Sequence, residues 1–372
     1  MLRRLLAEAE ATAPTSSRTF GEAFAEFLAW KKPSLAPTTF RAYEGYSRRE
    51  VLPVLGKVPL DQPGTAQIDA LYSKMAKAGK SYHVIKQAHD VVRAAYSEFL
   101  RWGWVDRNVS TFATLPKAPN NEIAVPSVDQ LRALPSESGE VDPQWVAMIA
   151  LAAVTGMRRG ELCGLRRSDL QGSTLKVRRS ITYTSETGLV EGPTKTRPTR
   201  RIALDEFGIA VIEAQVAYVD EMLATLVGTD VDDTERGSLM AEDPFVFVGR
   251  PEKDKLFGAT PIHPDSISMV FRRIADKHGW RDLHFHSLRH FTATQLIAAG
   301  VDVRTVSGRL GHSTPTLTLR TYSHVLEAQD RQAAAILGGL LGNKLGEAEN
   351  SERSSLTRGS NVTKDVSVDL RL

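Results

Sequence analysis

The sequence predicts a mainly α-helical protein with one small β-sheet, divided into two domains. Three observations predict it. Apolar residues recur at helical spacing through most of the chain; strand-like alternation is confined to residues 174–184 and 200–204; and an aperiodic, proline-containing stretch separates two helical regions. With 372 residues, 42% of them hydrophobic, the chain can bury two ordinary cores and is long for one.

The first element is expected at Thr19, because Thr19 and Glu22 have capping-box spacing and Phe20, Phe24, Phe27 and Leu28 then share a helical face. Residues 1–18, with Leu2, Leu5 and Leu6 as their only large apolar anchors besides Met1, are expected to be disordered. Pro37 suits the first turn of a second helix, which carries Phe40, Tyr43 and Tyr46 at intervals of three. Thr65 opens a third, with Ile68, Leu71 and Met75 as its buried stripe. Ser81 opens a fourth, with a broad apolar face of Val84, Ala88, Val91, Val92, Ala95, Tyr96, Phe99 and Leu100. Residues 19–112 thus read as a four-helix unit.

The stretch ATLPKAPNNEIAVP, 113–126, has the composition of an exposed linker. Fully extended it would reach ~45 Å, enough to pass around a groove ~12 Å wide and set two domains on different faces of a duplex. Ser127 and Gln130 repeat the capping-box spacing and open the second domain, 127–341. A helix through Ala147–Val154 stops at Thr155–Gly156. TLKVRRSITYT then reads as a strand with RRIAL, 200–204, as its partner across a Gly- and Pro-containing turn. Helices resume at Glu206–Leu226, Pro264–His278 and from about His286. The polar segment 228–243 reads as a solvated loop, and residues 342–372, rich in Ser, Asn and charge, read as a disordered tail.

A net charge of +3 permits a polyanionic partner without demanding one. The single cysteine, Cys163, excludes an intrachain disulfide and a cysteine-rich metal site, and it reads as a small core residue of a protein at home in a reducing cytoplasm. The longest nearly apolar run, Trp145–Val154, is far short of the ~18 residues a membrane span needs, and the N-terminus has no apolar core of a secretory signal.

Five short segments carry chemistry. TGMRRGE, 155–161, places Arg158 after a glycine break, with Glu161 one turn on where it can orient the guanidinium. PTKTRPTRR, 193–201, holds Lys195 in a basic stretch between two candidate strands. HSLRH, 286–290, puts His286 and Arg289 on one helix face with His290 next round. LGHSTPTL places His312 after a glycine, and TLRTYSH places Tyr322 between Arg320 and His324. Singly, each has an ordinary alternative: a surface ion pair, a solvated hairpin tip, a metal-binding His pair without its carboxylate, a helix-capping residue, a core tyrosine.

Their order is distinctive. Arg, then a hairpin Lys, then His-x-x-Arg, then Gly-His, then Tyr is the pattern of the tyrosine recombinases of the phage integrase family, which the chain resembles from about Thr19 to about Leu341. The resemblance implies a SAM-like helical domain that binds core DNA at 19–112 and an α+β tyrosine-recombinase catalytic domain at 127–341. It implies that Tyr322 is the nucleophile and that Arg158, Lys195, His286, Arg289 and His312 complete the active site.

The chemistry of these residues agrees. Phosphoryl transfer requires a positioned nucleophile and neutralised phosphate charge, and two arginines can clamp both non-bridging oxygens. A tyrosine hydroxyl, with its ordinary pKa near ~10, needs cationic surroundings or a general base, for which His286 is the best-placed candidate. Lys195 is the candidate proton donor to the leaving 5′ oxygen, and His312 a phosphate hydrogen-bond donor. A phosphotyrosine conserves the bond energy, so resealing needs neither ATP nor metal, and no cofactor is expected.

The implied activity is site-specific recombination at short attachment-site core half-sites on double-stranded DNA, by a homotetramer on two synapsed sites, with a possible accessory directionality factor. An integrase of phage or prophage is the first expectation, ahead of a chromosome-dimer resolvase; a bacterial host cytoplasm, at the nucleoid, is the expected location. A type IB topoisomerase shares the chemistry, and a catalytically dead DNA-binding protein shares the surfaces. Against the first stands an apolar stripe, Val325, Ala328, Ala333, Ile336, Leu337, Leu340 and Leu341, which in this family docks on a neighbouring protomer; against the second, all six catalytic positions are present. Longer integrases carry a further N-terminal domain for arm-type DNA sites. The eighteen residues before Thr19 are too few to fold as one, so a simpler integrase or a truncated start is expected.

Overall fold

The computed structural model describes residues 18–60, 64–118, 124–133, 141–194, 199–228, 237–252, 254–312, 314–316, 318–319, 322 and 334–340. The expectations for residues 1–17, for Lys195, for residues 229–236 of the 228–243 loop, for Val325, Ala328, Ala333 and Leu341, and for the 342–372 tail lie outside the described residues. Two compact units make up the chain: Met1–Ile123 with Ile181–Glu191, and Ala124–Ser180 with Gly192–Leu372.

In the first unit the local signals act as expected. The Glu22 side chain accepts from the Thr19 N–H at 2.8 Å while the Glu22 N–H donates to Thr19 Oγ1, which satisfies two donors that helix α1 (Phe20–Lys31) would otherwise leave open. Helix α2 (Pro37–Tyr46) runs through a π-helical turn, Ser47–Val51, into the single turn of α3 (Leu52–Leu55). Helices α4 (Thr65–Lys77) and α5 (Tyr82–Arg101) follow, the latter capped by Ser81. Phe20, Phe24 and Phe27 of α1 meet Ile68, Leu71 and Met75 of α4 and Val92, Tyr96 and Phe99 of α5 in one core. Leu100 departs from expectation: it is exposed, because at 100° per residue it falls at the margin of a stripe centred near Val92 and Phe99.

The second unit opens on a capping box between Ser127 and Gln130 at the start of α6 (Val128–Arg132). Helix α7 (Pro143–Thr155) is buried through Met148, Ile149, Leu151 and Ala152 and ends at Gly156, whose φ of 66° is the left-handed cap that glycine adopts without strain. Around α7 pack α9 (Glu206–Val227), α10 (Pro264–Lys277) and α11 (Ser287–Ala298), while α12 (Val303–Leu310) packs on α11. The short helix α8 (Arg159–Cys163) buries Cys163.

The strands correct the expected pairing. TLKVRRSITYT is not one strand: β2 (Thr174–Val177) lies between β1 (Leu170–Gln171) and β5 (Arg200–Ala203), all antiparallel, with Leu175 opposite Ile202. Strand β3 (Arg179–Thr184) pairs instead with β4 (Gly188–Pro193) in a separate two-stranded sheet. Alternation continues across the break and hides it. The buried Asp169 carboxylate marks it by gripping both Arg178 (2.6 Å) and Arg179 (3.1 Å) where the chain leaves β2. Strand β4 escaped notice because two glycines and a proline read as a turn.

Candidate active site

The site is assembled within the second unit, where four short segments converge. Beyond Gly156 the chain turns into α8, and Arg158 occupies its N-cap position with extended backbone. The Arg158 N–H donates to Glu161 Oε2 (2.8 Å), its Nη1 to Oε1 (2.9 Å) and its Nη2 to the Gly311 carbonyl (2.8 Å). Glu161 thus orients the guanidinium as its spacing implies, and it is only 2% exposed. Burial pushes the Glu161 carboxyl upward in pKa, but hydrogen bonds and charge from Arg200 and Arg158 outweigh it and hold the group below its ordinary value.

Arg200 was not singled out from the sequence. From the start of β5 it places Nη1 and Nη2 on the two Glu161 oxygens (2.9 and 2.6 Å) and Nε on the Arg309 carbonyl (2.9 Å). Arg309 in turn donates to the carbonyls of Ala203 and Val154. These bonds tie β5, the end of α7 and the last turn of α12 to one another, with Arg158 bonded to Gly311 just beyond and His312 next to it.

Helix α11 contributes three residues. Arg289 is 3% exposed; its Nη1 donates to the Gly156 carbonyl (2.7 Å), and its buried Nη2 has no partner among the described residues. Burial, then the like charge of Arg158, drops its pKa to about 9, with Glu161 opposing. His286 occupies the N-cap position with one side open to solvent, its ring 5.0 Å from that of His290 and perpendicular to it. Packing on its inner side, then the charges of His290, Arg289 and Arg158, lowers its pKa to about 4. His290 is half-buried; its Nδ1 is hydrogen-bonded to the Tyr322 hydroxyl at 2.7 Å.

His312 follows Gly311, the left-handed cap of α12, and its Nδ1 bonds Thr318 Oγ1 at 2.7 Å. Burial and the charges of Arg289 and Arg158 lower its pKa to about 4. Tyr322 is 2% exposed and packs with Ala293, Ile297, Val306 and Leu310. Burial raises its hydroxyl to about 12, with Arg289 pulling the other way.

The structure therefore gathers Arg158, His286, Arg289, His312 and Tyr322, while Lys195 lies outside the described residues. The hydroxyl of Tyr322 meets His290, not His286. Only its place beside Arg289 in HSLRH signalled His290, because spacing alone does not say which histidine faces a tyrosine 32 residues on. Clustered cations that depress one another, with a buried Arg289 nitrogen lacking a partner among the described residues, make a site prepared for an anion.

Residues 128–329 match the family described as "Phage integrase family", and residues 19–76 match "Phage integrase, N-terminal SAM-like domain". Among curated relatives, a tyrosine recombinase XerC-like protein of Caldanaerobacter subterraneus subsp. tengcongensis is 26% identical over 325 residues, 82% of this chain and 79% of the relative. An integrase of Mycobacterium phage FRAT1 is 28% identical over 347 residues, 90% of this chain and 92% of the relative. Among solved structures, the Tn1549 transposon integrase in complex with transposon right end DNA superposes with a TM-score of 0.70 at 19% identity, covering 85% of this chain and 100% of that one. A lambda integrase tetramer bound to a Holliday junction gives 0.58 at 18% identity, covering 85% and 80%. These two share the fold: mostly helical, with small sheets.

Sequence and fold together define a tyrosine-type, site-specific DNA recombinase. The chain belongs to the phage integrase family.

Proposed function

We propose that the protein is a phage or prophage integrase that cleaves and rejoins short core half-sites of double-stranded DNA through a 3′-phosphotyrosyl intermediate, without metal or ATP. The observation that carries this reading is the convergence of Arg158, Arg289, His286 and His312 on one site with Tyr322, around a buried arginine nitrogen that has no partner among the described residues. Arg158 and Arg289 clamp the non-bridging oxygens of the scissile phosphate; the fork of Arg289 is fixed by Gly156 and that of Arg158 by Glu161. His312 hydrogen-bonds the phosphate as charge develops, and His286 stands beside the clamp. Tyr322 Oη attacks phosphorus, the bond to the 5′ oxygen breaks, and Lys195 protonates that oxygen. A second 5′ hydroxyl then reverses the step.

In this reading 19–112 grips core DNA, 113–126 is a linker and 127–341 catalyses. A homotetramer works on two synapsed sites, an accessory factor sets direction, and the enzyme acts at the nucleoid of a bacterial host cytoplasm. The tetramer of lambda integrase on a Holliday junction and the integrase names of the phage relatives support it. No helix among the described residues is long and apolar enough to cross a membrane.

The test is a short suicide duplex of the cognate attachment region, incubated with the protein. The expected product is a covalent adduct mapped to Tyr322, absent in Tyr322→Phe although that variant binds DNA as the parent does. An adduct on another residue overturns the nucleophile assignment.

A further inference from the structure

A nucleophile must lose its proton, and the place where Tyr322 sits restricts what can take it. The residue is 2% exposed, so bulk water has little access, and its hydroxyl is raised by burial to about 12, so phenolate is scarce at neutral pH. The proton must therefore leave during attack on phosphorus, to a group already in contact. Among the described residues one basic atom is in contact with it: Nδ1 of His290, at 2.7 Å from the hydroxyl oxygen.

We propose that His290 is a catalytic residue of this recombinase, its Nδ1 accepting the proton of Tyr322 as that oxygen attacks phosphorus and returning it when the DNA is resealed. The inference rests on the reading of Tyr322 as nucleophile given above. In the forward step the Oη–P bond forms, the bond from phosphorus to the 5′ oxygen breaks, the Oη proton passes to Nδ1, and the 5′ oxygen takes its proton from the Lys195 ammonium. In the reverse step imidazolium protonates the departing tyrosine oxygen. Nδ1 can accept only if the ring is neutral, with its proton on Nε2. Its surroundings favour that state, since burial and the adjacent Arg289 both lower its pKa. Among the described residues, the titratable and charged groups around it are His286 and Arg289 on or next to its own helix, Tyr322 packed against that helix, and His312 beyond α12. None of these is a carboxylate that would favour a standing positive charge.

The position also has a mechanical logic. Arg289 and His290 are neighbours on α11, so the element that anchors the phosphate clamp to Gly156 also holds the proton acceptor. Tyr322 and its base are then registered to the phosphate by one rigid helix. The hydroxyl of Tyr322 is bonded to His290, and the His286 ring meets that of His290 at 5.0 Å.

The test is single-turnover cleavage of the suicide duplex by the full-length protein, with adducts mapped by mass spectrometry, over about pH 5 to 9. His290→Asn keeps a hydrogen-bonding group near the position of Nδ1 but no basic nitrogen; His286→Asn is the comparator. His290→Asn is expected to bind DNA like the parent and to cleave ~100-fold or more slowly. His290→Ala is expected to be equally slow and to recover with added imidazole, with faster recovery for more basic imidazoles. If His290→Asn cleaves within about threefold of the parent, the histidine only holds the hydroxyl and the inference is overturned. If His290→Asn fails to fold, His290→Ala decides: no rescue by imidazole overturns the inference, as does a loss confined to His286→Asn. An adduct that maps away from Tyr322 in the parent would instead defeat the nucleophile assignment, a separate outcome.

Discussion

The carboxylate of Glu161 receives both terminal nitrogens of Arg200 while holding Arg158 by its backbone and its side chain. One buried anion therefore serves two arginines, one in the candidate site and one behind it, and each of its oxygens is doubly hydrogen-bonded.

Removing the charge should break the whole arrangement. In Glu161→Gln one oxygen becomes a donor facing donors, and two arginines lose their counter-ion in a buried place. The expected cost is ~3 to 5 kcal/mol of stability, the usual range when one partner of a buried pair is lost. Denaturant unfolding checks it, and a cost under about 1 kcal/mol would show the pair to be dispensable. The pH dependence has a definite sign: a carboxyl held below its ordinary 4.5 stabilises the fold above that pH, and its contribution disappears as pH falls through the lowered pKa.

The clamp makes a second prediction. Arg158→Ala and Arg289→Ala should each slow cleavage of the suicide duplex ~100- to 1000-fold, as expected for losing one preorganised donor. DNA affinity should change little, because many phosphate contacts remain. Cleavage within tenfold of the parent by either variant contradicts the assignment.

Lys195 is tested by chemistry alone. Lys195→Ala should be nearly inactive on ordinary DNA and recover when sulfur replaces the bridging 5′ oxygen, because a thiolate departs without a proton. Equal inactivity on both substrates would move the proton donor elsewhere.

Gly156 joins the fold to the site. Its φ of 66° disfavours any side chain, and a Cβ there would lie 2.5 Å from Leu310 Cδ2 and 3.3 Å from Thr292 Cβ. Gly156→Ala should therefore cost ~2 to 4 kcal/mol from backbone strain and overpacking together. Cleavage should fall as well, because the Gly156 carbonyl anchors Arg289. Gly79→Ala is the control: its φ is 73° but no atom lies within 4 Å, so only the backbone term, ~1 to 2 kcal/mol, is expected. Similar melting shifts for the two variants would remove the packing argument.

Much of this protein was legible in one dimension because the physics there is local. Thr19 with Glu22 and Ser127 with Gln130 satisfy backbone groups three residues away, so spacing alone predicts the caps. The stripe of Ile68, Leu71 and Met75 follows from helical periodicity, and Arg158, Arg289, His312 and Tyr322 were recognisable because the order of their chemical types is so restrictive. Other features depend on contacts between distant segments. Nothing near Arg200 announces that it will meet Glu161, 39 residues earlier, and Tyr322 meets His290 only through its own packing against Ala293 and Ile297 of α11. The break between β2 and β3 belongs to the same class: alternation runs unbroken through Arg178, and only Asp169, folded back from before β1, shows where the strand must end. Local hydrogen bonding and periodicity determined the elements, and the order of residue types the candidate site; the pairing of buried charges and of Tyr322 with His290 was decided by tertiary packing, where low dielectric makes each partner's position matter.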